Sequence, residues 1–146
     1  IFRFFNTYGP RQSEDFVLPR FVQAALKGEP LRIHGDGTQT RTFCYVDDTV
    51  EACVAAHASG AYVNDVVNIG SDEEIQIVEL AELVVKVLGS CSKLEFLPPL
   101  TEGDMSRRCP DIRKMRTLLR GSVVPLEEGV RRLADHYRRR EASGVR

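Results

Sequence analysis

Arginine is the residue type whose placement most invites a chemical reading. Arg41 lies in Gly35-Asp36-Gly37-Thr38-Gln39-Thr40-Arg41-Thr42-Phe43-Cys44-Tyr45-Val46-Asp47-Asp48. A guanidinium held on short, stiff elements can grip a phosphate through two parallel hydrogen bonds. Taken alone, the same stretch also fits a surface hairpin carrying a solvated arginine. Arg107 and Arg108 stand after Asp104 in an irregular polar stretch and lead into Asp111. Two adjacent arginines before a helix suit a diphosphate, or a solvated basic loop. Asn6 ends the apolar run at residues 1–5, where its amide can both donate and accept, or can bond its own turn. Arg11 follows Gly9-Pro10 and reads alone as a solvated loop residue. His34 closes an alternating stretch, and a lone histidine there reads as a satisfied edge residue.

The elements that would hold these side chains follow from periodicity. Residues 31–34 alternate and predict a strand, and Gly35 and Gly37 make the turn after it, since glycine accepts positive φ. Residues 42–46 are β-branched and aromatic and predict a second strand, with Asp47 or Asp48 capping a helix. Apolar positions 17, 18, 21, 22, 25 and 26 form a helical stripe starting near Leu18, tolerant of Pro19 in the first turn and stopped by Gly28. On this pattern Leu18, Pro19 and Phe21 are core. The helix at 49–58 is expected to turn Val50, Cys53, Val54 and His57 inward. Residues 66–70 predict a buried strand, 77–88 a strongly amphipathic helix stopped by Gly89, and 94–97 a short strand. Asp111 is expected to cap a helix at 112–119. The last helix, 126–140, should turn Leu126, Val130, Leu133, Ala134 and Tyr137 inward. Strands alternating with helices indicate the α/β class.

Composition narrows the function. With 146 residues and a net charge of −1, the chain is one ordinary globular domain with no global attraction to nucleic acid or anionic membrane. No apolar run approaches the roughly 18 residues of a membrane span. The four cysteines, Cys44, Cys53, Cys91 and Cys109, form no Cys-x-x-Cys pair, so no metal site is expected, and Cys44 and Cys53 are expected to be small buried hydrophobes. These features, with no signal peptide at residues 1–5, predict a reducing, cytoplasmic setting. Arg138-Arg139-Arg140 suits a helix C-terminus rather than a nucleic-acid surface.

Five motifs in order give the chain a resemblance. Arg3-Phe4-Phe5-Asn6-Thr7-Tyr8-Gly9-Pro10-Arg11, the Gly35–Asp48 stretch, Val67-Asn68-Ile69-Gly70, Arg107-Arg108-Cys109-Pro110-Asp111-Ile112 and Pro125-Leu126-Glu127-Glu128-Gly129 together resemble the nucleotide-sugar branch of the extended short-chain dehydrogenase/reductases. This branch contains NAD-dependent epimerases, dehydratases and UDP-glucuronate decarboxylases. Its members also carry a Gly-rich dinucleotide fingerprint and a Tyr-x-x-x-Lys pair. Neither pattern occurs in this sequence, since none of Tyr8, Tyr45, Tyr62 and Tyr137 has Lys four residues on.

The resemblance implies an α/β fold made of the last strands of a Rossmann-type sheet plus the small α/β substrate-binding domain. Residues 1–146 would be the C-terminal, substrate-binding portion of a longer NAD-dependent enzyme, inactive and not binding NAD tightly alone. The substrate implied is a UDP- or TDP-sugar, oxidised transiently at C4. Arg41 and Arg108, with Arg107 as the alternative and Asp104 beside them, would clamp the diphosphate. Asn6 would contact the substrate between diphosphate and sugar, and Leu18, Pro19 and Phe21 would cover its nucleotide end. His34 replaces an aromatic ring that lies against the base in the family. Phe4 and Thr7 would flank the nicotinamide, and Arg11 would assist proton delivery. The parent is expected to be a homodimer. Residues 1–5 and 66–69 are apolar without alternation and are expected to be strands buried on both faces, so that this chain self-associates or packs on a further part.

Overall fold

Burial alternates along residues 31–34 and 67–69 and follows a helical period in the long helices. The computed structural model describes residues 1–100 and 107–144. It begins with strands β1 (Phe2–Phe4) and β2 (Thr7–Tyr8), helix α1 (Val17–Lys27), and strands β3 (Leu31–His34), β4 (Thr40–Thr42) and β5 (Cys44–Tyr45). Helix α2 (Val46–Ser59), strands β6 (Val67–Ile69) and β7 (Glu74–Gln76) and helix α3 (Ile77–Leu88) follow. Strand β8 (Leu94–Leu97) and helices α4 (Arg113–Arg116) and α5 (Leu126–Ala142) complete the order. Three ladders are parallel: β1 with β6, β2 with β5, and β3 with β8. Only β4 and β7 pair antiparallel. Parallel partners require crossovers, and helices supply them, as the α/β class demands.

The main core lies where α1, α3 and α5 meet over β3. Leu18, Phe21 and Val22 of α1, Leu80, Ala81 and Val84 of α3, and Val130, Leu133 and Ala134 of α5 are all essentially excluded from solvent. Each sits on the stripe that its helical spacing predicts. Gly28 and Gly89 end α1 and α3 in the left-handed region, at φ 70° and 60°, where glycine carries no steric penalty. Gly35 and Gly37, at φ 74° and 77°, make the turn after β3 as their types require. A second core joins Ala52 and Ala56 of α2 to Val67 and Ile69 of β6 and to Ile112, Met115 and Leu118.

Several sequence expectations fail for local reasons. The stretch around Arg41 is no hairpin: β3 pairs with β8, whereas β4 pairs with β7. The predicted strand at 42–46 breaks at Phe43 because its halves serve different ladders, β4 facing β7 and β5 facing β2. Strand β7, which no sequence pattern announces, exists because β4 supplies its partner. Neither Asp47 nor Asp48 caps α2. The helix opens at Val46, and the buried Asp48 instead accepts the Val124 N–H through Oδ2 at 2.9 Å.

Helix α2 also presents a different face from the expected one. Asp48, Thr49, Ala52 and Ala56 are buried, while Val50 and Val54 are 54% and 61% exposed. Small residues allow the close approach to β2 and β5, which bulk-apolar counting overlooks. His57 is exposed and Cys53 only half-buried. Strand β1 is exposed along its whole length instead of being buried on both faces. Helix α4 is a single turn, shorter than 112–119, although Asp111 does accept the Arg113 N–H at 3.0 Å.

Candidate functional site

The start of α1, strands β3 and β4, and the loop after β1 surround a cleft of about 240 Å³. Asn6, Leu18, Pro19, His34 and Arg41, all singled out in the sequence, line it together. Phe21 stands behind this wall in the core, 1% exposed. Phe4, Thr7, Arg11, Arg107 and Arg108 do not line it, and Asp104 lies outside the described residues.

Local geometry explains how the lining residues are held. Asn6 has φ +39°, in the left-handed region that asparagine tolerates better than most residues. Its Nδ2 donates to the Thr42 carbonyl at 2.9 Å, and its own carbonyl accepts the Cys44 N–H at 3.2 Å. The side-chain amide is thereby fixed across β4 and β5, and its oxygen takes no donor among the described residues. Arg41 donates through Nη1 to the Thr40 carbonyl at 2.7 Å, which orients the guanidinium at the half-buried mouth. His34 is half-buried, with Nδ1 3.2 Å from the Pro98 carbonyl. Gln39 bridges the loop, donating to the His34 carbonyl at 3.1 Å.

Sequence reasoning missed Tyr8, Gln12, Arg20, Arg32 and Phe43, which also line the cleft. Gln12 donates to the Thr7 carbonyl at 2.9 Å, and its Oε1 is buried without a partner among the described residues. Two signals for the arginines were present. Arg32 sits between the buried Leu31 and Ile33 on an alternating strand. Arg20 lies in the first turn of α1, where a cation opposes the helix dipole and no acidic residue offsets it. Three arginines and one histidine thus line the cleft, with no aspartate or glutamate among the described lining residues, and Arg32 also donates through Nε to Glu95 Oε2 at 3.0 Å. Such a wall favours an anion or a group rich in hydrogen-bond acceptors.

The remaining expected residues lie beside the cleft. A parallel bridge joins Thr40 to Arg107 on the free side of β4. The Arg107 guanidinium then closes on Glu74, with Nη2 2.6 Å from Oε1 and Nε 2.9 Å from Oε2. Thr40 donates to the same carboxylate at 3.0 Å. Hydrogen bonds from Arg107, foremost, hold the Glu74 carboxyl down at about 2. Arg108 is exposed and makes no hydrogen bond or ion pair among the described residues. Thr7 Oγ1 lies 3.3 Å from Thr49 Oγ1 and faces α2, and Arg11 is exposed at φ +68°. Burial pushes the Cys44 thiol up to about 11, which makes it a packed neutral group and not a nucleophile.

The family model described as "NAD dependent epimerase/dehydratase family" matches residues 1–70. The chain is similar to that family over this stretch. The chain is 42% identical over 140 residues to UDP-glucuronic acid decarboxylase 1 of Xenopus tropicalis, covering 94% of this chain and 32% of that protein. It is 37% identical over 148 residues to UDP-N-acetyl-alpha-D-glucosaminuronate decarboxylase of Bacillus cytotoxicus, covering 94% and 46%. Its fold superposes on UDP-glucuronic acid 4-epimerase of Bacillus cereus, crystallised with UDP-glucuronic acid and NAD. The TM-score is 0.84 at 34% identity, over 94% of this chain and 44% of that one. The chain therefore spans between a third and a half of the length of these relatives. Its α/β architecture is that of the Rossmann-type, extended short-chain dehydrogenase/reductase fold.

Proposed function

We propose that this chain is the nucleotide-sugar-binding portion of an NAD-dependent epimerase, dehydratase or decarboxylase. The observation that carries this reading is the cleft lined by Arg20, Arg41 and His34, together with Arg32 beside its partner Glu95, and by no carboxylate among the described lining residues. Arg41 and Arg108 bind the diphosphate. The bridge between Thr40 and Arg107 supports the pairing, because the next residues of each strand, Arg41 and Arg108, then adjoin. Arg107 is committed to Glu74 and serves to hold that loop.

Backbone geometry supports a pyrimidine base at β3. Leu31 donates to the Lys93 carbonyl and Gly35 to the Leu97 carbonyl, so the odd residues of β3 face β8. Arg32 and His34 therefore present their peptide groups to the opposite edge. That edge offers donors and an acceptor to the carbonyl and N–H groups of uracil or thymine, and His34 supplies a flat ring beside them. Asn6 offers its side-chain oxygen to a hydroxyl of the bound sugar, while Leu18 and Pro19 exclude water from the nucleotide end.

NAD, when bound in the whole protein, supplies transient oxidation of the sugar at C4. Residues 1–146 do not themselves form its pyrophosphate cradle: no described helix opens on a glycine, and the sequence has no glycine-rich fingerprint. Phe4 and Thr7 are left as contacts at the nicotinamide end, and Arg11 as an aid to proton delivery. Among reactions, 4-epimerisation and decarboxylation of a uronic acid stand together, and the Arg-Arg-x-Pro-Asp-Ile run leans toward decarboxylation. The absence of Tyr-x-x-x-Lys from the sequence favours one alternative, a nucleotide-sugar-binding module without catalysis of its own.

Calorimetry with UDP-glucuronic acid on the full-length protein, as wild type, Arg41→Ala and Arg108→Ala, tests the assignment. Each loss of a charged phosphate contact should weaken binding about ten- to a hundred-fold. Unchanged affinity in both variants would sink it.

A further inference from the structure

Gly129 is the only glycine inside a helix among the described residues. Its φ is not positive, so the backbone of α5 does not require glycine there, and alanine would raise helix propensity. Space is what requires it. A Cβ at position 129 would fall on the Tyr8 hydroxyl and stand 2.7 Å from Tyr8 Cζ and 3.0 Å from Cε2. Tyr8 is 2% exposed and gripped on its other sides, edge-on to Tyr45 at 5.4 Å and to Phe43 at 6.3 Å between ring centroids. Its hydroxyl is buried with no hydrogen-bond partner among the described residues, a costly arrangement that phenylalanine would avoid.

Tyr8 is also a wall of the cleft. It stands two residues from Asn6 in the chain and opposite Tyr45 in the β2–β5 ladder, whose Cys44 N–H holds the Asn6 carbonyl. We propose that Tyr8 is a positioning residue for the nucleotide cleft, seated by the notch at Gly129, so that helix α5 sets where the Asn6 end of the cleft lies. The hydroxyl acts as a spacer against the α5 backbone. This rests on the reading of the cleft as a nucleotide-sugar site.

The test is a double-mutant cycle of Gly129→Ala and Tyr8→Phe in the full-length protein, read by calorimetric affinity for UDP. Gly129→Ala should weaken UDP binding at least ten-fold despite its better helix propensity. Adding Tyr8→Phe removes the atom that the new methyl strikes first and should restore at least half of that loss on a logarithmic scale. A folded Gly129→Ala protein with wild-type affinity would overturn the proposal, as would a double variant no better than the single one. If Gly129→Ala does not fold, Tyr8→Leu replaces it. Removing the ring without adding bulk must then cost at least ten-fold in affinity, and no change overturns the idea. If the wild type binds no UDP, the nucleotide reading fails by itself. Positioning is then judged on the amide NMR shifts of Asn6, Thr7 and Arg41. They must move in Gly129→Ala and return in the double variant, and shifts that stay in place overturn it.

Discussion

Arg107 and Arg108 are neighbours in sequence with opposite environments. Arg107 makes a bidentate pair with Glu74, whereas Arg108 is exposed without a partner among the described residues. Recruiting Arg107 to a phosphate would first break that pair, so Arg107→Met should change UDP-sugar affinity far less than Arg108→Ala. Equal losses in a side-by-side titration would reverse the assignment. The same pair gives a pH dependence with a definite sign. Glu74 ionises near 4.5 when unperturbed and near 2 in the fold, where Arg107 bonds it, so its contribution is complete above about pH 4.5. It drains as pH falls toward 2, and Asp111, held at about 2 by Arg113, adds the same trend. Both carboxylates are solvated, so the effect is modest. Melting temperatures of wild type and Glu74→Gln between pH 2 and 6 check it; the wild type should fall more steeply with acid. At this scale the motif residues were legible because they stand in five motifs that follow one another in order along the sequence. Tyr8, Gln12 and Phe43 were not, since an aromatic or amide beside a turn looks the same whether it lines a cleft or solvent.

Helices carry most of the packing. Leu80 of α3 is fully buried between α1 and α5, and Leu80→Ala should cost about 2–5 kcal/mol in a denaturant titration. A loss below 1 kcal/mol would mean that these helices do not close on one another as described. Asp48 in α2 tests a subtler term. Burial, first of all, pushes its carboxyl up, while the Val124 N–H favours the charged form. Asp48→Asn keeps an acceptor for Val124 without a buried charge and should be near neutral. Asp48→Ala leaves that N–H unpaired and should cost about 1–3 kcal/mol. Equal effects of the two in the same titration would rule out the hydrogen bond as the cause. Helices α1, α3 and α5 were legible because a long apolar stripe and a glycine stop are local signals. Strands β2 and β7, two and three residues long, were not, since such strands exist only through partners remote in sequence. The inward face of α2 was misread because alanines choose it by how closely they let strands approach.

The molecule leaves several large apolar side chains exposed. Strand β1 pairs only with β6 among the described residues, so its other edge presents unpaired peptide groups. Phe2 and Phe4 on that strand are 36% and 58% exposed, and Val50 and Val54 of α2 are 54% and 61% exposed. Among the described residues no helix is long and apolar enough to cross a membrane, so a lipid-spanning helix does not account for this surface. An exposed apolar edge strand is a template for another strand, and proteins that keep such an edge single protect it with lysine, proline or a bulge. None of these stands in β1, whose only charge is Arg3. The chain of 146 residues is therefore expected to self-associate through β1, a second copy supplying the missing strand neighbour. Sedimentation at rising concentration should show species heavier than the 16.4 kDa chain. Phe4→Lys, which places a charge on the edge without touching either core, should shift the distribution toward monomer. A monodisperse wild-type monomer with one cooperative melt would show that these strands need no partner, and the exposed face would then have to be stable in water as it stands.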